Sequence, residues 1–166
     1  MTTESSGPCP GLPAPAFTAA ATLAPALTLE SCRGHWLTLY FYPKDDTPGC
    51  TTESAAFRDA YPEFAAADCE VLGVSRDPLA SHRRFREKLG LPFDLISDVD
   101  EVVCERYGVM RLKNMYGKQV RGIERSTFLI DPDGVLRHVW RGVKVPGHVD
   151  EVLATLRRLL ASAPIE

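Results

Sequence analysis

Apolar and polar positions divide this chain into alternating segments of two kinds. Five segments have the apolar, β-branched or aromatic composition of buried strands, and they cover residues 36–42, 71–75, 93–97, 126–130 and 135–140. The last two flank Asp131-Pro-Asp-Gly134, a turn sequence that predicts a hairpin. Residues 17–29 predict short strands or an irregular lead-in to the first of these segments.

Four further segments have the spacing of amphipathic helices. The first begins at Cys50 and contains Pro62, which predicts a kink or a break. For the second, Asp77 is the predicted cap, Pro78 the first residue and Gly90 the end. The third covers residues 100–107. The last begins near His148, with a predicted inward stripe of Val149, Val152, Leu153, Leu156 and Leu160.

Strands and helices therefore alternate in the order β-α-β-α-β-α-β-β-α. This order predicts an α/β protein whose central mixed β-sheet is flanked by helices on both faces, and it resembles a thioredoxin-like fold. The 166 residues suffice for one domain, which we place at residues 15–166. Residues 1–14, rich in proline and small polar residues, are predicted to form a flexible N-terminal arm.

Composition then excludes several classes of protein. Hydrophobic residues at 45% and charged residues at 25% are typical of a globular domain. A net charge of −3 and a pI near 5.8 give no support to a nucleic-acid or anionic-membrane partner. No apolar run approaches the roughly 18 residues of a membrane span, and the first residues lack the pattern of a signal peptide. We expect a cytoplasmic protein.

The candidate chemistry lies in the cysteines. Five are present, and no two form a Cys-x-x-Cys pair, which argues against a thioredoxin-type dithiol and against the usual zinc sites. The four histidines are scattered without metal-ligand spacing, and no glycine-rich phosphate loop appears. The sequence therefore predicts neither a metal nor a cofactor, and a single cysteine is usually a small buried hydrophobe.

Cys50 is the exception, because of its position. It follows a polar turn that ends in Pro48-Gly49, and it stands where a helix begins, directly after a buried strand. Unpaired backbone N–H groups and the positive end of the helix dipole favour a thiolate there, and the thiolate is the nucleophilic form. A core residue has no reason to occupy this place, so the position indicates a reactive cysteine.

The residues around Cys50 carry a resemblance to a known family. The pattern Pro43-x-x-x-Thr47-x-x-Cys50 resembles the peroxiredoxin signature, and the string from Tyr40 to Glu53 resembles the peroxiredoxin Q subfamily, also called bacterioferritin comigratory protein. Three more stretches match that subfamily, at residues 73–77, 125–131 and 143–152. The resemblance covers residues 15–160, nearly the whole chain.

The resemblance implies a role for each site residue. Cys50 would attack a hydroperoxide and become a sulfenic acid. Lowering the pKa of the Cys50 thiol would raise its thiolate fraction at neutral pH only about tenfold, which is worth about 1.4 kcal/mol. Enzymes typically remove 8 kcal/mol or more from a barrier, so other groups must also contribute. Arg125 is expected to stabilise the charge that moves onto the leaving oxygen, and Thr47 to hydrogen-bond the peroxide. Pro43 is expected to shield the site. Two further residues are expected to border the site: Glu53, which would orient Arg125, and Gly49.

The sequence departs from the subfamily in how the sulfenic acid is resolved. Many members carry a resolving cysteine five residues after the peroxidatic one, where this chain has Ala55, and others carry it on the next helix, where Arg86 is the equivalent. We therefore predict a one-cysteine mechanism with an external thiol reductant, such as thioredoxin or glutaredoxin/glutathione. Cys104 and Cys9 remain the fallback resolving residues.

Two alternatives stay open at this stage. A peroxide-reactive redox sensor or holdase, acting through a protein partner, would share Cys50 and Arg125, and an exposed apolar patch would favour it. A monomer is expected by resemblance, and a dimer is not excluded. A thiol-dependent peroxidase acting on hydrogen peroxide and organic hydroperoxides is the leading interpretation.

Overall fold

The computed structural model of the protein describes residues 8–162, which form nine strands and four α-helices. The strands are β1 (Thr18–Ala21), β2 (Leu27–Thr28), β3 (Trp36–Phe41), β4 (Cys69–Ser75), β5 (Leu95–Ser97), β6 (Met110–Met115), β7 (Lys118–Ile123), β8 (Ser126–Ile130) and β9 (Leu136–Arg141). The helices are α1 (Pro48–Ala66), α2 (Leu79–Leu89), α3 (Val102–Arg106) and α4 (His148–Ala161).

Seven strands form one mixed sheet in the order β2-β1-β5-β4-β3-β8-β9. The three central strands β3, β4 and β5 are parallel, whereas β1 and β8 run antiparallel to the strands they join. The predicted turn at residues 131–134 does connect β8 to β9 as a hairpin. Among residues 8–162, no helix combines the length and apolarity needed to cross a bilayer.

Side chains from β3 enter two hydrophobic layers, one on each face of the sheet. Tyr40, together with Tyr42 just after the strand, enters the first, here called the α1 layer, formed with buried residues of α1, α2 and α4. Leu39 and Phe41 enter the second, the α3 layer, formed with buried residues of α3 and with Tyr107. Strand residues alternate between faces, so β3 is buried throughout. The α/β architecture with helices on both faces is confirmed.

Three local predictions are wrong in whole or in part. Helix α1 is not broken at Pro62 but continues to Ala66, because its buried residues are held against the sheet by packing. Pro78, not Asp77, is the N-cap of α2, since the Asp77 carboxylate instead accepts hydrogen bonds from the Asp45 backbone N–H and the Ser75 hydroxyl. Leu160 is 38% exposed, beyond the buried stripe of α4.

The predicted N-terminal arm is also corrected in part. Gly11 and Ala14 donate backbone hydrogen bonds to the carbonyls of Leu136 and Gly134, at 2.8 and 2.9 Å. Residues 11–14 therefore lie paired along the hairpin of β8 and β9 rather than free. Residues 1–7 of the arm lie outside the described residues.

Strands β6 and β7 were not predicted. They pair only with each other, from Met110 opposite Ile123 to Met115 opposite Lys118. Tyr116 and Gly117 turn the chain between them, both with positive φ, as a two-residue hairpin turn requires. A glycine between two such segments was the available signal, but the strands carry four basic residues and little apolar alternation. We call residues 110–123 the β6–β7 ribbon.

Candidate active site

Cys50 lies in the first turn of α1, just beyond the end of β3. Thr47 is the N-cap in an extended conformation and Pro48 is the first helical residue, a placement that suits a locked φ and a missing N–H. The Cys50 side chain belongs to the α1 layer, and the residue is only 1% exposed. Cys50 is therefore almost fully enclosed by protein, in the first turn of the helix.

Arg125 reaches this thiol from the position directly before β8, the strand that pairs with β3. It links β7 to β8, and its Nη1 donates hydrogen bonds to Cys50 Sγ at 3.5 Å and to Glu53 Oε1 at 2.7 Å. The Arg125 carbonyl accepts a bond from the Val143 backbone N–H at 3.0 Å, which holds the loop. One guanidinium nitrogen thus contacts both the cysteine and a buried carboxylate.

Glu53 lies one helical turn beyond Cys50 and is fully buried. Burial raises the pKa of its carboxyl group from 4.5 to about 7, although the Arg125 charge and hydrogen bond lower it. The second oxygen, Oε2, is buried without a hydrogen-bond partner among the described residues. Burial disfavours the charge of Arg125 too, but Glu53 and Cys50 together raise its pKa.

The environment of Glu53 predicts that folding is less favourable at high pH. A carboxyl group whose pKa rises on folding costs stability as pH increases from about 4.5 to about 7, and the full cost remains above that range. The shift corresponds to about 3 kcal/mol at pH 8. We expect Glu53→Gln to be more stable than the wild type at pH 8 and equally stable near pH 4.5. Urea unfolding at both pH values measures this, and a variant less stable at pH 8 contradicts it.

The other predicted site residues line the same turn. The Thr47 hydroxyl donates to the Lys44 carbonyl at 2.7 Å, so its proton is directed toward the turn and not toward the thiol. Pro43 is half-buried where β3 ends. A Cβ on Gly49 would lie 3.1 Å from Arg125 Nη2, so a side chain there would crowd the guanidinium. The structure brings Cys50, Arg125, Glu53 and Gly49 together.

A buried polar cluster, which the sequence did not reveal, holds the turn before Cys50. Asp45 Oδ2 contacts His82 Nδ1 at 2.7 Å and accepts from the Ser81 hydroxyl at 2.8 Å, while Oδ1 accepts from the Tyr42 hydroxyl at 2.7 Å. His82 Nε2 meets the Ile96 carbonyl oxygen at 2.9 Å. Burial opposes the Asp45 charge, but its contacts with His82 lower the pKa of Asp45.

This cluster resembles a metal site in composition only. Asp45, Asp77 and His82 place their ligand atoms within 4.8 Å of one another. Each is already engaged with protein groups: the Asp77 carboxylate with Ser75 at 2.5 Å, and both nitrogens of the His82 ring as above. We therefore interpret the cluster as the clamp that joins the turn at residues 43–47 to α2.

Removing His82 should destabilise the protein strongly. The His82 side chain is fully buried and that of Asp45 is 3% exposed, so His82→Ala leaves a buried carboxylate without its main partner, at about 3–5 kcal/mol. His35→Ala is the matched control, because His35 meets Asp68 at the same 2.7 Å on side chains that are 59% and 67% exposed. We expect that control to cost about 1 kcal/mol or less in urea unfolding, and equal costs would contradict the assignment.

The remaining cysteines lie apart from Cys50. Cys104 is fully buried in the α3 layer, on the opposite face of the sheet, and burial raises the pKa of its thiol. Cys69 pairs with Trp36 at the start of β3, about 16 Å from the end that leads to Cys50, and burial raises its pKa to about 12. Cys9 is exposed and Cys32 half-buried, and all five thiols are free.

Several known proteins resemble this chain in sequence. The profile of the AhpC/TSA family matches residues 10–139. Peroxiredoxin Bcp of Xanthomonas campestris is 56% identical over 130 residues, 78% of this chain and 81% of that protein. Peroxiredoxin Bcp of Bacillus subtilis is 50% identical over 129 residues, 78% of this chain and 82% of that protein.

A solved structure extends the agreement to the fold. Xanthomonas campestris peroxiredoxin Q superposes with a TM-score of 0.82 at 51% identity, covering 86% of this chain and 90% of that chain. The thioredoxin-like fold predicted from the order of elements is thereby confirmed. The chain belongs to the AhpC/TSA family and, within it, to the peroxiredoxin Q (Bcp) subfamily.

Proposed function

We propose that Cys50 is the nucleophile with which this peroxiredoxin, a thiol-dependent peroxidase, reduces hydrogen peroxide and organic hydroperoxides. The observation that carries the proposal is the contact of Arg125 Nη1 with both Cys50 Sγ and Glu53 Oε1. The thiolate attacks the terminal peroxide oxygen, an S–O bond forms and the O–O bond breaks. The leaving oxygen takes a proton and departs as water or an alcohol, and Cys50 becomes a sulfenic acid.

Arg125 acts on the charge that moves during this step. Its permanent positive charge lies beside the sulfur, where it stabilises the thiolate and then the negative charge on the leaving oxygen. Glu53, held at 2.7 Å, fixes the guanidinium in that position. Thr47 would bind the peroxide once its hydroxyl leaves the Lys44 carbonyl, and Pro43 excludes water from the end of β3.

The placement of the two buried thiols apart from Cys50 supports a one-cysteine mechanism. Cys104 lies across the sheet from Cys50, and Cys69 lies at the far end of β3. An external thiol attacks Cys50–SOH, forming a mixed disulfide and releasing water, and a second thiol then frees Cys50 and is oxidised with the first to a disulfide. The five free thiols support a reducing compartment, for which we propose the cytoplasm. The protein would act as a monomer.

Peptide mapping under non-reducing conditions tests this mechanism. After one equivalent of peroxide, we expect Cys50 as sulfenic acid, trapped by dimedone, and four free cysteines. A double variant with Cys9→Ser and Cys32→Ser should turn over like the wild type, since neither residue has a role. A stoichiometric disulfide between Cys50 and any other cysteine of the chain would refute the one-cysteine mechanism while leaving the peroxidase function standing.

Excess peroxide gives a second readout of the same mechanism. Without a partner thiol in the chain, the sulfenic acid persists until an external thiol arrives, so high peroxide should drive it to the sulfinic acid. Intact-mass spectrometry should then show a gain of two oxygen atoms on Cys50. Resistance to this over-oxidation in the absence of external thiol would indicate that an internal cysteine protects Cys50.

A further inference from the structure

The β6–β7 ribbon carries an unusual share of the exposed apolar surface. Leu112, Met115, Tyr116 and Val120 are 66%, 48%, 100% and 42% exposed. They make up four of the nine large hydrophobic side chains that are exposed among the described residues. Because the ribbon belongs to no larger sheet, these side chains do not cover the core. Met115 is opposite Lys118 and Val120 is opposite Lys113, so their side chains share one face of the ribbon, next to Tyr116 in the turn, whereas Leu112 lies on the other face. Exposed apolar side chains on one face of a projecting element are typical of a docking surface.

The charges of the ribbon have one sign. Residues 110–123 contain four basic residues and no acidic residue, whereas the whole chain has a net charge of −3. Three of the four bases contact neighbouring groups of the protein: Arg111 pairs with Glu124, Lys113 donates to the Ile123 carbonyl, and Arg121 pairs with Glu101 and Glu105. Lys118 is exposed next to the turn. Lys118 is opposite Met115 on the apolar face, and an apolar face with an exposed lysine is complementary to a partner that presents an acidic group beside its own apolar contact.

The fixed end of the ribbon lies at the active site. From Ile123, at the root of β7, the chain passes through Glu124 directly to Arg125, whose Nη1 is 3.5 Å from Cys50 Sγ. Six-residue strands extend about 20 Å from this root. A protein of ordinary domain size that rests on the ribbon would therefore lie next to Cys50.

Cys50 itself explains why such a surface is needed. The residue is only 1% exposed, so a thiol on a large partner meets Cys50–SOH only when the partner is held in one orientation. Docking supplies this orientation, whereas a small thiol needs none. Resting on the one-cysteine function above, we propose that the β6–β7 ribbon is the docking surface for an acidic protein dithiol of the thioredoxin type.

The docked reaction balances within the two proteins. The first partner thiolate attacks Cys50–SOH, so an S–S bond forms and the S–O bond breaks, and the leaving hydroxide is protonated to water. The second partner thiol then attacks the partner sulfur, which releases Cys50 as a thiol and leaves the partner as an internal disulfide. The partner is oxidised by two electrons and the sulfenic acid is reduced by two.

The test measures the oxidation of Cys50 and its recycling separately, and it measures recycling with two different reductants. A triple variant carries Met115→Ser, Tyr116→Ser and Val120→Ser, and the control triple carries Leu12→Ser, Leu23→Ser and Leu160→Ser, exposed apolar residues elsewhere. Turnover is measured with a bacterial thioredoxin, its reductase and NADPH, and again with dithiothreitol. We expect the ribbon triple alone to lose roughly tenfold or more in kcat/KM for thioredoxin, with its rates for dithiothreitol and for Cys50 oxidation unchanged.

A charge reversal gives an independent measurement. Lys118→Glu should slow recycling by thioredoxin at low salt, and the difference from the wild type should shrink as ionic strength rises. Unchanged rates with thioredoxin in both ribbon variants overturn the proposal. So does an equal loss with dithiothreitol, which would mean a distorted site.

The same variants can also assign the ribbon to one of two other partners. Loss of a concentration-dependent dimer in the ribbon triple, with thioredoxin kinetics intact, would assign the surface to a second copy of this chain. Loss of aggregation suppression alone would assign it to unfolded clients, as a holdase requires, and either result overturns the proposal. A wild type recycled by dithiothreitol but not by thioredoxin also overturns it, whereas a wild type whose Cys50 does not react with peroxide overturns the proposed function itself.

Discussion

Replacing Cys50 by Ser is expected to abolish peroxide reduction. A serine hydroxyl is barely ionised at neutral pH, so the variant lacks the anionic nucleophile that attacks the peroxide oxygen. Ser differs from Cys by one atom and fits the space that the Cys50 side chain occupies in the α1 layer, so the fold should persist. Peroxide consumption in the presence of excess dithiothreitol measures the effect, with circular dichroism as the check on folding.

Cys69→Ser is the matched control, since it makes the same change at another buried cysteine of the α1 layer. Its thiol already contacts the Thr38 hydroxyl at 3.3 Å, which a serine hydroxyl can also meet. We expect wild-type turnover from this control. Activity retained by Cys50→Ser, or lost equally by Cys69→Ser, would contradict the role given to Cys50.

The part of the site that the sequence revealed is local in the chain. A buried strand, a polar turn, proline at the first helical position and a cysteine in the first helical turn follow one another from Trp36 to Cys50. Each of these features depends on neighbouring residues, so composition and spacing are enough to predict them. The expected hairpin at residues 131–134 is local in the same sense.

Arg125 shows what the fold adds to such patterns. It lies 75 positions after Cys50 in the chain, and only the pairing of β8 with β3 brings the two together. Phe41, at the end of β3, is opposite Ser126 in that pairing, so the residue before Ser126 must lie near the start of α1. A resemblance of motifs suggested this role, but no spacing along the chain could have given the distance.

Several features that the sequence failed to predict depend on contacts between segments that are distant in the chain. His82 is one of four scattered histidines in the sequence, and only the fold brings its ring to the carboxylate of Asp45, 37 positions away. Asp77 is of a residue type that often caps helices. Its carboxylate instead accepts hydrogen bonds from the Ser75 hydroxyl and the Asp45 N–H. Residues 11–14 have the composition of a loose arm, yet the β8–β9 hairpin offers them backbone partners.

Replacing Arg125 by Ala is expected to slow Cys50 oxidation by about 10²–10³-fold, the usual loss when a charge-stabilising donor is removed from an active site. Its side chain is 18% exposed, so solvent screens its charge only in part. Arg125→Lys should recover part of the rate, because an ammonium keeps the charge but contacts one group where the guanidinium holds two. Stopped-flow fluorescence under single-turnover conditions measures the oxidation step directly.

Glu53 must be separated from this loss, because Arg125→Ala also leaves a buried carboxylate without its partner. The double variant Arg125→Ala with Glu53→Gln removes that carboxylate. If Arg125 acts on the reacting oxygen atoms, the double variant stays as slow as Arg125→Ala, and Glu53→Gln alone loses much less. If Arg125 served only to neutralise Glu53, the double variant would return to nearly the wild-type rate. Rates near the wild type in Arg125→Ala itself would remove Arg125 from the chemistry, since the 3.5 Å contact with Cys50 Sγ would then have no effect on its reactivity.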